Sequence, residues 1–541
     1  MIELQSSISE EIDNSCCLGA CKCSHVISVN ALGDAMRSLK AGKSDGFLST
    51  DCIIHGCPEL IAHFSILFTC MVRHGFSPMS VMLATIIPIP KNSRKSVNDS
   101  SNYRGIALNS PIAKLFELVI LSIHRDVLST TDFQFGYKRG LSTSSCTFVA
   151  NEVIQHYLNG NNDIHVMLLD ASKAFDCVHY VTLFRQLLSK GICPCVIRIL
   201  LFMHVNQTVR VRWNNELSDE FSVSNGVKQG GILSPVLFSI YTDTMLSSLR
   251  DSGVGCYIGS SFCGALAYAD DVVLLAPSKS ALRRMLDVAG HCADKLSLRF
   301  NGLKSQYLVF KSRCDGRADS FIDFCGVRVP QSTEGLHLGN LLGCGVNRKS
   351  IVNAIRDLRV RTNVLLSRFS FCTADVRYSL FRSHCVIAYG SQLWDFDGPD
   401  VADFYTAWRI AVRRVWRLPN TAHCNLLPGI CGGRDIESQL LSRGLNFVRT
   451  SLRSGNVLLG ACARLAASGS GSTVSSSIAY MCKKLMISKY QLCESNFNFF
   501  SSATVVPNAA STIRDFSIGI SRVSEEDKNN YKFIIDELAV N

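Results

Sequence analysis

The chain has no Cys-x-x-Cys pair, no apolar run long enough to cross a bilayer, no internal repeat and no basic-then-apolar start, and each absence removes a class of protein. Its 24 cysteines are scattered over 541 residues behind the opening MIELQSSISEEID, which argues against a zinc ribbon, a thioredoxin-like redox pair and a secreted disulfide framework. A reducing, intracellular setting is expected. The cluster Cys16, Cys17, Cys21, Cys23 and His25 has the spacing of no common metal site and reads as incidental cysteines. The most apolar stretches, ELIAHFSILFTCMV and VIRILLFMHV, are broken by His or Arg and fall short of the roughly 18 to 20 residues a span requires, so no membrane segment is expected. The absence of a repeat sets aside solenoids and arrays.

What is present is an ordinary globular composition, 47% hydrophobic and 18% charged, which excludes extensive disorder. The length exceeds what one core supports, and three or four packed units are expected. Lys plus Arg outnumber Asp plus Glu by 55 to 44, a net charge of +11 that fits a polyanionic partner without requiring one.

Residues 26 to 90 read as helical, with Val29, Leu32, Met36 and Leu39 on one face, a Gly-Lys-Ser-Asp-Gly break, and an amphipathic run to Phe76. LATIIPIPK is β-branched and reads as a strand; the loop after it, KNSRKSVNDSSN, carries Lys91, Arg94 and Lys95 and by itself is a solvated turn. HVMLLDASKAF has a buried-strand pattern leading into a helical segment. Two hairpins follow, TVRVRWNNELSDEFSV turning at Asn214 and Asn215, and GALAYADDVVLLAP. The helix SALRRMLDVAGHCADKLSL then leads to the strand QYLVF, so residues 100 to 330 mix strands and helices without strict βαβ alternation, which predicts an α+β domain. From about 348 to 418 the pattern is helical, and Arg409, Arg413 and Arg417 recur every fourth residue opposite Trp408, Val412, Val415 and Trp416. That basic stripe is either a solvated face or a rail for a phosphate backbone. AASGSGSTVSSS, residues 466 to 477, reads as a flexible linker before a polar tail with a short acidic helix.

Two places set acids at the end of, or inside, continuous apolar runs: VMLLD at Asp170 and LAYADDVVLLA at Asp270 and Asp271. A buried carboxylate shifts its pKa or finds a cation, and three on adjacent strands repel unless divalent ions lie between them. Oxygen ligands of this kind suit magnesium, which keeps waters and accepts substrate phosphates. Two such ions can activate an attacking hydroxyl and stabilise a leaving oxygen in phosphoryl transfer. Taken alone, the Asp-Asp pair is also what a hairpin tip commonly holds.

In order along the chain, HVMLLDASKAFD, NGVKQGGILSPVLFSIY and AYADDVVLL resemble the A, B and C motifs of reverse transcriptases. IIPIPK, NYRGIALNS and QFGYKRGLST upstream, with NGLKSQYLVF, FCGVRVP and VWRLPNTAH downstream, narrow the resemblance to the polymerase of non-LTR retrotransposons, the LINE or jockey-like elements, over roughly residues 26 to 450. The resemblance implies an α+β right-hand polymerase. An N-terminal tail (1–25) would precede fingers and palm (26–343), a helical thumb (344–418), a post-thumb segment (419–465) and a linker with polar tail (466–541). It implies that Asp170, Asp270 and Asp271 with the Ala171 carbonyl bind two magnesium ions, manganese being an alternative. Lys91 and Arg104 would grip the incoming triphosphate, and Phe175 would bar a 2′-hydroxyl. Gln229 and Gly230 would line the nucleotide pocket, and Lys304 would protonate the leaving pyrophosphate.

The implied activity is RNA-directed DNA polymerisation with an RNA template, a DNA primer and deoxynucleoside triphosphates as partners, in cytoplasm and nucleus. The chain departs from the family at Gly105, where proline is usual, and at Gly231, where cysteine is frequent. About 90 residues precede the fingers, too few for the endonuclease domain of most such elements, and no Cys-Cys-His-Cys knuckle follows. The expectation is therefore a fragment, a truncated copy, or a polymerase whose nick comes from a separate endonuclease. A catalytically decayed copy that only binds RNA is the alternative; an RNA-dependent RNA polymerase is disfavoured by Phe175.

Overall fold

The fold follows from where the apolar runs fall and what interrupts them. The structure, a computed structural model, describes residues 8–13, 26–92, 95–311, 321–343, 346–432 and 435–485. The Cys16–His25 cluster, Arg94 and the acidic tail helix lie outside the described residues. The chain divides into two compact units, one of residues 1–141, 165–307 and 317–331, the other of residues 142–164, 308–316 and 332–541. This division follows neither the 343 nor the 418 boundary, because 142–164 belongs with the C-terminal unit.

In the first unit, the helix Val29–Ser38 starts where the Ser28 hydroxyl accepts the Ala31 N–H (3.2 Å), and it buries Leu32, Ala35 and Met36. The helix Pro58–His74 opens on proline and stops at Gly75, whose φ of 64° suits glycine. Residues 8–13, expected as part of a tail, are helical: Ile8 and Ile12, four apart, are buried, and Glu11 and Asp13 pair with Arg185 and Arg198.

A sheet runs Tyr103–Asn109, Ala84–Pro90, Thr208–Trp213, Glu216–Leu217, with Phe221–Ser222 also on Thr208–Trp213. Its first hairpin turns at Asn214–Asn215, as the sequence predicts, and Asn214 takes the left-handed conformation that such a turn demands. A second sheet has the order Phe321–Phe324, Val327–Ser332, Gln306–Phe310, Ile164–Leu169, Asp271–Ala276, Ala265–Tyr268. Its two central runs are buried at every residue from Val166 to Leu169 and from Val272 to Ala276, which is why they read as continuous rather than alternating. The helices Ser234–Asp251 and Lys279–Lys295 pack on each other and on the adjoining strands. The expected α+β class is what these elements form.

Among its described residues the second unit is helical apart from the hairpin Glu334–His337 and Asn340–Gly343 and the strand ends at 164, 308–310 and 332. Val346–Arg368, Ala374–His384 and Asp400–Trp416 fulfil the helical pattern, with a break between residues 385 and 399 that holds only the short turn Ser391–Leu393. No described helix is long and apolar enough to cross a membrane.

The linker reading of 466–477 is overturned. Val457–Ser468 ends at Gly469 (φ 101°), and Thr473–Leu485 starts four residues later. Ser472, Ser475 and Ser477 are buried, and Ser477 Oγ donates to the Trp394 carbonyl (2.9 Å) while accepting the Phe396 N–H (3.0 Å). Small residues that look like linker composition here allow close helix approach and satisfy backbone groups.

The same turn covers Glu152, which is 1% exposed on the helix Thr143–Asn159 and accepts from Ser470 Oγ (3.4 Å). Burial pushes its carboxyl up to about 7 against the opposing pull of Ser472 and Ser470. A raised folded-state pKa stabilises the unit fully below the unfolded value near 4.5 and loses that contribution as pH climbs through 7. The loss amounts to roughly 3 kcal/mol at most. Trp394, Trp408 and Trp416 lie in this unit and report its urea unfolding. Wild type is expected to weaken between about pH 5 and 8, and Glu152→Gln to flatten that slope; an identical slope in the variant would refute the assignment.

Candidate active site

The strand Ile164–Leu169 runs antiparallel to Asp271–Ala276 with Val272 opposite Leu169, so one step further in register sets Asp271 across from Asp170. Asp271 pairs with Tyr268 at the end of the second hairpin, leaving Ala269 and Asp270 as its two-residue turn. The turn reading of the pair therefore holds for Asp270, while Asp271 is the first residue of a strand. The strand register brings all three aspartates to one end of the same antiparallel strands.

Asp170 is held through its backbone. Its N–H donates to Ser305 Oγ (3.2 Å) and its carbonyl accepts the Asn301 N–H (2.8 Å), while the Ser172 N–H reaches the Arg299 carbonyl (2.8 Å). These last two bonds bracket the bridge between Ala171 and Phe300 and use neither backbone group of Ala171, whose carbonyl they leave available. Ser305 and Asn301 escaped the sequence reading, although both lie in the NGLKSQYLVF segment that it singled out.

Electrostatically the three carboxylates act on one another. Burial, then Asp270, then Asp170 push the Asp271 carboxyl up to about 6. Asp270 is raised too, by burial foremost and by Asp170, against its own backbone N–H and Arg104. Asp170 Oδ2 is buried and accepts no hydrogen bond; the Lys304 ammonium stands 3.7 Å away. A buried anionic oxygen without a donor beside two acids with raised pKa fits a cation. Among the described residues no three acidic, histidine or cysteine side chains converge as a ready cage. Magnesium needs none, since one or two carboxylates with substrate phosphates and waters complete its shell.

Of the basic residues expected at the triphosphate, Arg104 sits on the first sheet and Lys91 directly follows its strand Ala84–Pro90. Arg104 is exposed in the strand Tyr103–Asn109 and near enough to Asp270 to lower its pKa. Lys91, also exposed, donates from Nζ to the Ser101 carbonyl (2.9 Å) and acts on the Asp176 carboxyl. Gln229 hydrogen-bonds Asp176, a third residue that the sequence reading missed. Gly230 has φ 124°, and a Cβ there would lie 2.5 Å from the Ala107 carbonyl oxygen, so glycine alone lets this loop touch the strand. At Gly231 a side chain would meet Ser234 Oγ at 2.4 Å, and at Gly105 it would meet Ile86 at 3.0 Å. Glu117 Oε2 receives the Ile232 and Leu233 N–H groups (2.6 and 3.0 Å) at the start of the helix Ser234–Asp251. Phe175 is half-buried and lies flat on Phe238, ring centroids 4.5 Å apart and planes 10° apart.

The arginine stripe does not form. Arg413 is 8% exposed; its Nε and Nη2 donate to the Ala422 carbonyl (3.0 and 2.8 Å), and Nη2 also contacts Cys424 Sγ. Arg417 leaves the helix at φ 57° and donates to the Ser370 carbonyl (2.9 Å). Arg409 is half-buried. Helical spacing put the three in line, but the chain after the helix folds back and uses Arg413 to satisfy its carbonyls.

Residues 89–339 match the family described as reverse transcriptase (RNA-dependent DNA polymerase). The "Retrovirus-related Pol polyprotein from type-2 retrotransposable element R2DM" of Drosophila melanogaster is 26% identical over 42% of this chain and 22% of its own length. The "Probable RNA-directed DNA polymerase from transposon BS" of the same organism is 24% identical over 68% of this chain and 42% of its own. The chain thus spans less than half the length of these relatives. A solved structure of apo telomerase from Candida tropicalis aligns with 52% of this chain and 60% of that one, at 13% identity and TM-score 0.34.

Proposed function

We propose that this chain, whose residues 89–339 are a reverse transcriptase domain of the non-LTR retrotransposon kind, is an RNA-directed DNA polymerase that extends a DNA 3′ end by two-metal nucleotidyl transfer. The observation that carries the reading is the meeting of Asp170, Asp270 and Asp271 at one end of adjacent strands, with the Asp270 and Asp271 carboxyls raised and one Asp170 oxygen buried without a hydrogen bond.

The aspartates and the Ala171 carbonyl would hold the metal. Two magnesium ions, when bound, supply a lowered pKa for the primer hydroxyl and a stabilised leaving oxygen. Arg104 and Lys91 neutralise the triphosphate, whose charge grows as the leaving group departs. Gln229 and Gly230 line the pocket where the base pair forms, and Phe175 underlies the sugar. Lys304 passes a proton to the pyrophosphate, a role that its ammonium 3.7 Å from Asp170 Oδ2 supports. The RNA–DNA hybrid is gripped through shape and phosphates rather than sequence.

Primer extension on an RNA template with deoxynucleotides, with and without magnesium, tests this. Metal-dependent extension is the expected result; a folded wild-type chain that binds template and primer but adds no nucleotide would overturn it.

A further inference from the structure

One buried amide that the mechanism does not use touches the hairpin carrying two of the three aspartates. Gln134 is 0% exposed. Its Oε1 accepts two backbone N–H groups, those of Ala269 and Gly136, each at 2.9 Å, and its Nε2 donates to the Ala269 carbonyl (3.4 Å). Both backbone groups of Ala269 are thereby bound by one side chain. Ala269 is the residue that the turn forces to φ 60°, a conformation unfavourable for any side chain with a Cβ, and Asp270 follows it directly.

The contact is built from both sides. Gln134 lies parallel to Ala267: the Phe135 N–H reaches the Ala267 carbonyl (2.7 Å) and the Ala267 N–H reaches the Phe133 carbonyl (2.8 Å). Gly136 comes so close that a Cβ would stand 2.5 Å from the Ala269 nitrogen. The segment has its own anchors, since the Thr131 N–H and hydroxyl both donate to the Asp243 carboxylate and Lys138 Nζ donates to the carbonyls of Thr130 and Thr131. The segment that carries Gln134 is thus also tied to groups outside the hairpin that it grips. It is also neutral, so it imposes geometry without adding charge next to Asp270.

We propose that Gln134 is a positioning residue for the metal site: it holds the Ala269–Asp270 turn in its strained conformation and so sets where the Asp270 and Asp271 carboxylates stand. This rests on the polymerase reading. Partners that orient metal ligands change metal affinity or activity by about 10–100-fold when removed.

The test measures metal binding apart from turnover. Mn2+ binding to the full chain with template and primer, without nucleotide, is followed by electron paramagnetic resonance for wild type, Gln134→Ala, Gly136→Ala and Val119→Ala, a fully buried core position on the helix Pro111–Ile123. The Mg2+ dependence of extension is measured in parallel. Gln134→Ala is expected to weaken Mn2+ about 10–100-fold and to move the Mg2+ midpoint the same way, with template–primer affinity unchanged. Gly136→Ala, whose Cβ would press on the Ala269 nitrogen and on Gln134 Oε1 itself, is expected to do the same, and Val119→Ala to lower stability without moving the midpoint. If Gln134→Ala does not fold, Gly136→Ala alone carries the test. Unchanged Mn2+ affinity in the folded turn variants, or an equal shift in Val119→Ala, would overturn the positioning role. Absence of Mn2+ binding by wild type would overturn the polymerase reading itself and this role with it.

Discussion

Replacing Asp270 by asparagine is expected to cut primer extension by on the order of 10³-fold or more, the scale on which single preorganised electrostatic groups act, while leaving the chain folded. The substitution is nearly isosteric, so it removes charge and metal affinity without opening a cavity. Without metal, burial and Asp170 hold the Asp270 carboxyl above its ordinary value. A carboxyl raised in the folded state contributes stability at low pH and loses it as pH climbs through the folded value, so wild type carries an electrostatic penalty at neutral pH that asparagine does not. The metal-free variant is therefore expected to melt no lower than wild type at about pH 7.5. Asp271 supplies an internal check: with Asp270 neutral, its carboxyl should titrate below about 6, yet above the ordinary 3.8, because burial is the larger cause of its shift. Extension equal to wild type would remove Asp270 from the site. An unmoved Asp271 titration, followed by carboxyl NMR, would contradict the coupling of the two acids.

That this site was legible in the sequence has a physical reason. Acids at the end of VMLLD and within LAYADDVVLLA adjoin runs that are buried on both faces, which makes a cation plausible there, and the ordered motifs around them single them out from an ordinary hairpin tip. Strands and hairpins were legible too, since period and turn residues are local. What escaped depends on contacts distant in the chain. Gln134 binds Ala269 across 135 positions, and Ser305 reaches Asp170 across the same interval. Nothing local marks a glutamine in QFGYKRG as a turn clamp. The misreadings have the same origin: periodicity aligned Arg413 with Arg409 and Arg417 but could not foresee Ala422 folding back on it. Composition likewise labelled Ser472, Ser475 and Ser477 as linker although helices close over them.

Phe175→Ala is expected to raise ribonucleotide incorporation relative to deoxynucleotide by roughly 10–200-fold, the range that a change of a few atoms in a pocket provides. The effect depends on the ring being unable to retreat, and its surroundings say why. Phe175 sits in the short turn Ala174–Cys177 that follows Asp170, and its ring is backed by Phe238 on the helix Ser234–Asp251 at 4.5 Å. Its carbonyl accepts the Val227 N–H (2.9 Å), and Gly226, with φ 88°, fits against the Asp176 backbone where a Cβ would stand 2.9 Å from Cα. Ring and backbone are thus clamped by residues 226–227 and by the helix Ser234–Asp251, so under the proposed function a sugar hydroxyl would meet a wall rather than a movable side chain. Removing the ring leaves Phe238 as the nearest aromatic surface and opens the volume that a 2′-hydroxyl requires. Phe175→Tyr keeps the ring and its stacking and should keep the discrimination. Single-nucleotide incorporation kinetics with matched ribo- and deoxynucleotides measure the ratio. An alanine variant as selective as wild type would show that sugar choice is made elsewhere, whereas selectivity lost in alanine and kept in tyrosine locates it at the ring.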